Sequence, residues 1–467
     1  MLDKFPRDIL LSDIIPFLDS ESIIQLSTVS KYFYLFLAND EFIWKKLCIE
    51  EFNIPQDNAY RISGWKRFFK ALKYHAKVYT WGENRDQRLG LDQTNTSFLQ
   101  QDMNMFRPVL RHPRLRGYSS EVTIPQEVTS LRNKSIIDIT SGGWSFHALD
   151  TSGFVWMWGT IQQGITSRQR FPVLLQTGNE IQPKIRFKSI SSGRDHVIGL
   201  AKDGTIWHWS NHIMLQRVQL DIDAEVVQVA ANWNYSSVLT DNGFIYIIPK
   251  PDQIAPSQMN QEPHPTQITL AGISTAQLRL NDDGNDDKIV QIAGLDGFTL
   301  ALTRFGRVLK LNTLDPIAFS QSPLEHVTEL VHFSSTQNEY NDRHGYMKRF
   351  ITGAFNNFAV YTKDQVMLGN IHATKETIPN QLKELENQQV CKVSFGDYHY
   401  GAITNQGKLF TWGKYSSGAL GHGGISKEDH PKPQLVESLS DKFVFAIGFG
   451  GWQSSVLAIN LNDMNAE

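Results

Sequence analysis

The first fifty residues place apolar side chains at the period of amphipathic helices. Asp19-Ser20 and Asn39-Asp40 break this pattern with residues that cap helix N-termini, which predicts three or four short helices. Pro16 lies late in the first of them, where it should kink or end the helix. So short a segment buries little apolar surface by itself, and we expect it to pack against a partner. Its apolar positions are Ile9, Leu10, Ile14, Leu18, Ile23, Leu26, Val29, Phe33, Leu37, Ile43, Trp44 and Leu47.

From Lys77 onward the pattern changes to short apolar strands separated by glycine-containing turns. A three-strand cassette, ending in Trp-Gly in its clearest copies, recurs with a spacing of about 51 residues, in the range of propeller blades. Each small sheet must bury its faces against neighbours, and a closed ring removes exposed edges. The sequence therefore predicts an all-β, seven-bladed propeller over residues 77–460 that follows a small all-α unit over residues 1–50. The seven copies begin at Ile136, Phe187, Val226, Ile289, Lys348, Val390 and Phe443.

The last cassette and the first Trp-Gly strand complement each other. The cassette from Phe443 ends near Asn460 without a Trp-Gly strand, whereas KVYTWG, from Lys77, belongs to no cassette. We expect this early strand to complete the seventh blade and to fasten the start of the propeller to its end. Residues 461–467 are expected to form a C-terminal tail.

Residues 51–76 are expected to form a linker that contains one amphipathic helix. One face of this helix is apolar, and basic residues occupy its other faces. A basic amphipathic helix can bind a membrane or calmodulin. A packed linker helix with solvated charges is the interpretation we favour, and it would hold the propeller at a fixed angle to the N-terminal helices. The apolar face comprises Trp65, Phe68, Phe69 and Leu72.

Composition narrows the class of protein. The 467 residues carry a net charge of −3, which disfavours a surface that binds nucleic acid or other polyanions. Two cysteines, Cys48 and Cys391, favour a reducing compartment over a disulfide framework. The N-terminus does not resemble a signal peptide, and no apolar run approaches the length of a membrane span. We expect a location in the cytoplasm, the nucleus or both, without membrane association.

Catalytic motifs are missing from the sequence. There is no phosphate-binding loop, no Cys/His cluster with zinc spacing, and no distal Glu for the acidic run 281–287 that superficially resembles a calcium loop. His196 and His399 occupy equivalent cassette positions, and His147 lies in a strand, so all three are expected to be structural. We therefore predict no catalytic residue, no metal and no cofactor.

Candidate binding residues lie in loops and near turns. An arginine cluster with neighbouring aromatics, within residues 92–126, fits a protein interface, although a mobile basic loop fits it equally well. Aromatic residues follow the turns of several cassettes and either line one rim of the ring or pack between blades. The predicted substrate-binding residues are Arg107, Arg111, Arg114, Arg116, Trp144 and Trp452.

The N-terminal segment contains, in order, Phe5-Pro6, Asp8-Ile9-Leu10, Leu18-Asp19, the run LSTVSK from Leu26, and Trp44-Lys45-Lys46-Leu47. In these motifs it resembles the F-box, a helical motif that docks on the Skp-type linker of cullin-based (SCF) ubiquitin ligases. The resemblance implies docking through Phe5, Pro6, Ile9, Leu10, Ile14, Leu18, Ile24, Leu26 and Val29.

The cassette copies contain Trp81-Gly82, Leu89-Gly90, the Gly-x-x-His of Gly193 and Gly396, and Trp412-Gly413 with Gly418 to Gly421. In these residues the cassette resembles the regulator-of-chromosome-condensation repeat. The middle copies depart from the repeat, because Asn232 replaces a turn glycine and Trp-Gly is missing there. A WD-type propeller is the structural alternative, but its Gly-His and Trp-Asp signatures are absent.

Together these resemblances imply a non-catalytic substrate receptor of an SCF ubiquitin ligase, similar to fungal SCF-associated factors. Its implied partners are the Skp-type linker, cullin through that linker, and a protein substrate such as adenine deaminase or another metabolic enzyme. The alternatives are a nucleotide exchange factor for a Ran-type GTPase, a chromatin-binding propeller, and an F-box protein that acts outside the ligase. The propeller family alone supports the first two, and a fold does not establish a function.

Overall fold

The structure is a computed structural model in which short helices precede a ring of β-sheets. It describes residues 9–10, 14–18, 20–52, 64–85, 87–92, 120–161, 169–175, 185–210, 215–220, 222–250, 266–267, 272–273, 287–335, 340–341, 345–346, 349–424 and 427–465. The helices are α1 (Ser20–Val29), α2 (Lys31–Asn39), α3 (Glu41–Phe52), α4 (Trp65–His75), α5 (Pro316–Gln321) and α6 (Leu461–Asn465). None of the described helices is long and apolar enough to span a membrane.

Side-chain caps define the breaks between the N-terminal helices. Ser30 Oγ accepts a hydrogen bond of 3.2 Å from the backbone N of Phe33 and so begins α2. Asp40 Oδ1 accepts bonds from the backbone N of Phe42 and of Ile43, which begins α3 at the predicted break. Pro16 lies in a 3₁₀ turn, Ile15–Phe17, after which the backbone becomes extended, as its missing N–H predicted.

In the described part of the chain, seven sheets form the blades, six of four strands and one of five, and the strands of each sheet are ordered from the inside of the ring outward. The propeller begins with β1 (Lys77–Glu83) and β2 (Glu121–Glu127). Blade 1 comprises β3 (Ile136–Ser141), β4 (Ser145–Asp150), β5 (Val155–Gly159) and β6 (Gln169–Leu174). Blade 2 comprises β7 (Phe187–Ser192), β8 (Val197–Ala201), β9 (Ile206–Trp209) and β10 (Gln216–Gln219).

The next two blades include strands supplied by the long insertions of the sequence. Blade 3 comprises β11 (Val226–Ala231), β12 (Tyr235–Thr240), β13 (Ile245–Pro249) and β15 (Gly272–Ile273), while β14 (Thr266–Gln267) pairs in parallel with β10 of blade 2. Blade 4 comprises β16 (Ile289–Gly294), β17 (Phe298–Thr303), β18 (Val308–Asn312) and β19 (Val327–Glu329). A separate hairpin follows, β20 (Tyr340–Asn341) with β21 (Gly345–Tyr346).

The last three blades complete the ring. Blade 5 comprises β22 (Phe350–Ala354), β23 (Asn357–Tyr361), β24 (Val366–Asn370) and β25 (Asn380–Gln381). Blade 6 comprises β26 (Val390–Phe395), β27 (His399–Thr404), β28 (Leu409–Gly413) and β29 (His430–Leu435). Blade 7 combines β30 (Lys442–Gly450) and β31 (Gln453–Asn460) with β1 and β2. The predicted blade number is confirmed, and each blade has one more strand than the predicted cassette.

Blade 7 confirms the predicted closure of the ring. Strand β1 pairs antiparallel with β31, from Lys77 opposite Ala458 to Gly82 opposite Gln453. Trp81 on β1 is fully buried, and its indole Nε1 donates a hydrogen bond of 2.7 Å to the carbonyl O of Ala419 in blade 6. The early strand therefore joins both the end of the chain and the neighbouring blade.

Side-chain amides join the inner strands of successive blades. The Nε2 of Gln228 donates to Ile292 O at 2.9 Å, and its Oε1 accepts from Ile292 N at 2.9 Å. Gln291 makes the same pair of bonds with Ile351 in the next blade. Because inner strands of different blades share no sheet, these amides satisfy backbone groups that would otherwise face the axis.

A continuous apolar core connects the helices to the propeller. The ring of Phe68 on α4 meets Phe443 of β30 edge-on at 5.4 Å between centroids. The predicted apolar face of α4 is confirmed, because Trp65, Phe69 and Leu72 are also buried in this core. Linker helix α4 is thus packed between the N-terminal helices and the propeller, as the favoured interpretation predicted.

Candidate functional site

Exposed apolar side chains are concentrated on the N-terminal helices. Among the described residues, eight of the eighteen exposed large apolar side chains lie between residues 9 and 42. Soluble surfaces rarely collect apolar side chains in this way unless they bind something. They are Ile9, Phe17, Ile24, Val29, Tyr32, Tyr34, Leu35 and Phe42. We call this set the helical apolar surface.

The predicted docking residues fall into three groups. Phe5 and Pro6 lie outside the described residues. Ile9, Ile24 and Val29 belong to the helical apolar surface, and Val29 is 72% exposed. The remaining four residues are less accessible, since Ile14, Leu18 and Leu26 are half-buried against the core and Leu10 is buried.

Leu10 requires a correction to its expected role. Its side chain is 1% exposed and lies in the core that the helices share with the propeller. A side chain so placed stabilises the helices and has no surface to offer a partner in this conformation. Helical periodicity identifies it as apolar but does not say which neighbour covers it.

The inner hairpins of the blades enclose the second candidate site. The inner strands of all seven blades line an axial channel of about 450 Å³. Each inner strand ends in a two-residue loop, and the seven loops form one rim of the channel. Hydrogen bonds between neighbouring loops hold this rim, for example from Gly143 N to Arg194 O at 2.7 Å and from Asp397 N to Gly451 O at 2.9 Å.

The rim and the helices lie at opposite ends of the inner strands. Phe443, which contacts α4, is the second residue of β30, and this strand ends at Gly450 beside the rim. Nine extended residues span roughly 30 Å. At the start of β3, likewise, Ser135 Oγ donates to the carbonyl O of Lys73 in α4 at 3.0 Å. The rim therefore faces away from the helices.

Three aromatic rings and one guanidinium group stack along one side of the rim. The guanidinium carbon of Arg194 lies 4.6 Å from the ring centroid of Trp144 and 4.3 Å from that of Trp233. Trp233 in turn stacks on Phe355 with centroids 4.1 Å apart. The guanidinium thus lies over two indole rings, which is the geometry of a cation–π contact.

Two carboxylates occupy equivalent loop positions on this rim. Asp296 begins the loop of blade 4, and Asp397 begins that of blade 6. Burial raises the pKa of each carboxyl, and the charge of Arg194 partly lowers both. Neither carboxylate has a side-chain hydrogen bond or ion pair with another described residue.

Two of the six predicted substrate-binding residues are described, and both lie on this rim. Trp144 is half-buried beside Arg194, and Trp452 is 41% exposed at the equivalent position of blade 7. Arg107, Arg111, Arg114 and Arg116 lie outside the described residues. Sequence reasoning missed Arg194, Asp296 and Asp397, although Arg194 and Asp397 directly follow the glycines of the two Gly-x-x-His motifs.

The three histidines join neighbouring blades. Ring nitrogens of the buried His147, His196 and His399 lie within 3.0 Å of Ser192 Oγ, Tyr235 O and Ser454 Oγ, respectively. Burial lowers the pKa of His147 and of His399 to about 3, so both imidazoles are neutral at physiological pH. The described residues contain no group of three potential metal ligands.

Comparisons with known proteins agree with this geometry. Residues 75–149 and 406–457 match the regulator of chromosome condensation (RCC1) repeat, and residues 390–418 match a second version of it. The solved structure of human WBSCR16 is 18% identical, with a TM-score of 0.57 over 83% of this chain and 99% of that one. These matches indicate a repeat module and no enzyme family.

Three curated relatives differ in how much of their length is matched. The mouse E3 ubiquitin-protein ligase HERC2 is 35% identical over 18% of this chain but only 2% of its own length. F-box protein pof9 of Schizosaccharomyces pombe is 23% identical over 97% of this chain and 89% of its own. SCF-associated factor 1 of Saccharomyces cerevisiae is 23% identical over 59% and 42%, respectively. This chain therefore carries RCC1 repeats in a seven-bladed propeller and resembles proteins named for an F-box and for SCF.

Proposed function

We propose that this protein is the substrate-recognition subunit of an SCF ubiquitin ligase. Its N-terminal helices dock on a Skp-type linker and through it on cullin, and the propeller holds a protein destined for ubiquitination. The chain itself performs no chemistry in this proposal. It raises the local concentration of a substrate lysine near the ubiquitin-loaded enzyme.

The observation that carries the proposal is the helical apolar surface. Its side chains, with Val29 72% and Ile24 42% exposed, are left uncovered by the core that joins the helices to the propeller. Burial of apolar area contributes about 25 cal/mol per Å² to the free energy of binding. A helical partner that covers the helical apolar surface would therefore bind favourably. Similarity to a protein named F-box protein over 97% of this chain supports the same assignment.

The opposite placement of the two candidate sites fits a receptor. The packed contact of Phe68 with Phe443 fixes the helices to one end of the ring, and the rim at the other end stays open to a substrate. A ligase needs its substrate held at a constant distance from the docking site. The proposal also includes the identity of the substrate and a location in the cytoplasm or the nucleus. Both rest on the sequence expectations alone.

Co-purification with the linker tests the docking step. Ile24→Asp combined with Val29→Asp places two charges on exposed positions, so the fold should survive while an apolar interface is lost. Retention of Skp-type linker and cullin should fall by about tenfold or more. The matched control is Leu314→Asp with Ile378→Asp, two exposed apolar positions on the propeller, which should retain both partners.

Full retention by the helical variant would refute docking through this surface. A nucleotide-release assay with a Ran-type GTPase addresses the alternative function. Clear acceleration of release by the full chain, together with retention of the linker by the variant, would favour an exchange factor over a ligase receptor.

A further inference from the structure

A Trp-Gly pair lies near the end of the third strand in blades 7, 1 and 6, and each tryptophan is buried. The pairs occupy the same register, because each glycine pairs with the first residue of the second strand in its blade. They are Trp81-Gly82, Trp158-Gly159 and Trp412-Gly413. A buried indole usually donates its N–H to an acceptor. The surroundings of the three indoles can therefore be compared directly.

The turn that follows β28 in blade 6 covers the indole of Trp81 in blade 7. Nε1 of Trp81 donates a hydrogen bond to Ala419 O at 2.7 Å. Leu420 is buried, and Gly421 packs so closely that a Cβ on it would lie 2.8 Å from that nitrogen. A small residue, a leucine and a glycine therefore cover this indole, and a larger residue in place of the glycine would not fit.

A second turn of this kind covers Trp158. It follows β1 in blade 7, Leu89 within it is fully buried, and a Cβ on Gly90 would lie 3.0 Å from Nε1 of Trp158. Although that Nε1 has no acceptor among the described residues, the turn packs directly on its ring. Two successive blades therefore each supply a Leu-Gly turn to the indole of the next blade.

Hydroxyl groups hold both turns to their own blades. Thr411 Oγ1 donates to Leu420 O at 2.6 Å, and Thr80 Oγ1 donates to Leu89 O at 2.7 Å. Each threonine directly precedes the tryptophan of its strand. In blade 5 the register places Leu368 at this position, where no hydroxyl group is available to hold such a turn.

The chain after β24 in blade 5 is held by blade 4 instead. The ammonium of Lys310 on β18 donates to the carbonyl O of Ile371 at 2.9 Å and to that of Ala373 at 2.6 Å. Ala373 is buried in the core between blades 4 and 5. The segment from Asn370 to Asn380 also contains no Leu-Gly pair. Blade 5 therefore supplies no turn of this kind to blade 6.

A cavity of about 320 Å³ occupies the corresponding place between blades 5 and 6. Trp412 lines it together with Pro431 of β29, whose equivalent in blade 7 is Thr123. Thr123 contacts the covering turn of blade 6 at Gly418, so the cavity lies where such a turn would pack. Nε1 of Trp412 is buried without an acceptor among the described residues, which costs free energy that a carbonyl group would offset.

The walls of this cavity suit a neutral ligand with an apolar side chain. None of the described residues that line it is charged, and Asn370, Asn380 and Pro431 form its exposed opening. The opening lies at the rim end of the ring, because β24 and β28 both end beside it. Its volume is near the lower end for ligand pockets, which corresponds to a few residues. The apolar walls comprise Leu368, Leu382, Phe395, Tyr400 and Trp412.

We propose that this cavity binds a tight turn of the substrate protein that contains a small residue, a leucine and a glycine in succession. A backbone carbonyl of the turn accepts the hydrogen bond from Nε1 of Trp412, and the leucine packs on the apolar walls. The chain's own turn, Ala419 to Gly421, shows this binding mode beside Trp81. This inference rests on the proposed role of the propeller as the substrate-holding part, and it assigns that substrate a neutral recognition turn.

Peptide binding to the full-length protein tests the recognition turn. The probe is a cyclic peptide with the sequence of residues 417–422, SGALGH, and one fluorophore-labelled residue, followed by fluorescence anisotropy. Its counterpart carries Leu420→Asp, which places a charge against apolar walls. The first peptide should bind at least about tenfold more tightly than the second. Equal affinity, or no binding of the first peptide at about 1 mM, would overturn the inference.

Variants of the protein locate the binding site. Asn380→Trp places a large ring at the exposed opening, so the fold should survive while affinity for SGALGH falls about tenfold or more. The matched control is Gln434→Trp, at the equivalent exposed position of blade 6, which should change affinity by less than about twofold. Trp412→Phe keeps an aromatic ring but removes the N–H donor, and should weaken binding about threefold to tenfold. Unchanged affinity in Asn380→Trp or in Trp412→Phe, or equal losses in both exposed variants, would overturn the site.

Linker retention by Asn380→Trp separates this inference from the proposed function. This variant should co-purify with the Skp-type linker like the wild type, because the cavity opens at the rim end, away from the helices. Retention of the linker without binding of the peptide would refute the turn-binding inference alone. Peptide binding by a wild-type protein that retains no linker would refute the ligase role and leave the cavity as a peptide-binding site.

Discussion

Trp233 of blade 3 stacks on Phe355 of blade 5, with ring centroids 4.1 Å apart across the loop of blade 4. Phe355 reaches this position with φ of 51°, in the left-handed region that bulky residues rarely adopt. Gly451 occupies the equivalent position of blade 7 with φ of 46°. The rim therefore keeps an aromatic ring where the backbone would favour glycine.

Substitution of Phe355 separates backbone strain from ring stacking. Phe355→Ala and Phe355→Gly both remove the stack, but only glycine relieves the positive φ. We expect the glycine variant to be more stable than the alanine variant by about 0.5–1 kcal/mol, measured by urea unfolding. An alanine variant of equal or higher stability would show that the loop carries no strain.

The buried histidines predict a loss of stability in mild acid. The folded pKa of His147 and of His399, about 3, lies below the ordinary value of 6.5, so the unfolded chain takes up protons first as the pH falls. Stability is full above pH 6.5 and declines toward pH 3, by about 1.4 kcal/mol per pH unit for each histidine. At pH 5, His147 and His399 together should cost about 4 kcal/mol relative to pH 7.5.

Urea unfolding midpoints at several pH values measure this effect. The variant His372→Gln alters an exposed imidazole and should keep the same pH dependence as the wild type. A free energy of unfolding that stays constant between pH 7.5 and pH 5 would contradict neutral, buried imidazoles.

Closure of the ring predicts different costs for two tryptophans. Trp81 is fully buried and bonded to Ala419 in the neighbouring blade, so Trp81→Ala should destabilise the protein by about 3–5 kcal/mol. Trp452 is 41% exposed, and Trp452→Ala should change stability by less than about 0.5 kcal/mol. Thermal unfolding of both variants makes the comparison, and similar melting temperatures would argue against closure through β1.

A carboxylate connects the N-terminal helices to α4. Glu41 accepts hydrogen bonds from Gly64 N at 3.1 Å and from Trp65 N at 2.9 Å, and so caps the start of that helix. Glu41→Ala should cost about 1 kcal/mol and speed amide hydrogen exchange in residues 65–75. The control Glu50→Ala removes an exposed carboxylate that pairs with Lys46 on the same helix, and exchange in α4 should stay unchanged.

The sequence was informative where an element is buried. The second strand of a blade, such as β8, is buried at every position and reads as an apolar run, and the recurrence of such runs set the blade number. The outermost strands were missed because most of their residues are half-buried or exposed, as in His430–Leu435. These edge strands lack the alternation that identifies a strand in a sequence.

Contacts across the ring could not be read from the sequence. Arg194 meets Trp144 and Trp233 only because three blades bring their loops to one rim, and no local spacing encodes such a contact. Likewise, periodicity grouped Leu10 with Val29, although the first is buried in the core and the second is exposed. Partner-facing and core-facing apolar residues differ only in what packs on them.

The pairing of β1 with β31 also determines when the ring can close during translation. Strand β1 is made early, while its partner, Gln453–Asn460, follows 370 residues after Glu83. At about 5–20 residues per second, the early strand waits roughly 20–70 s on the ribosome with the edge that β31 will cover unpaired. A premature stop codon before β31 leaves blade 7 incomplete, so the ring cannot close. Truncated chains of this kind expose unpaired strand edges that promote aggregation.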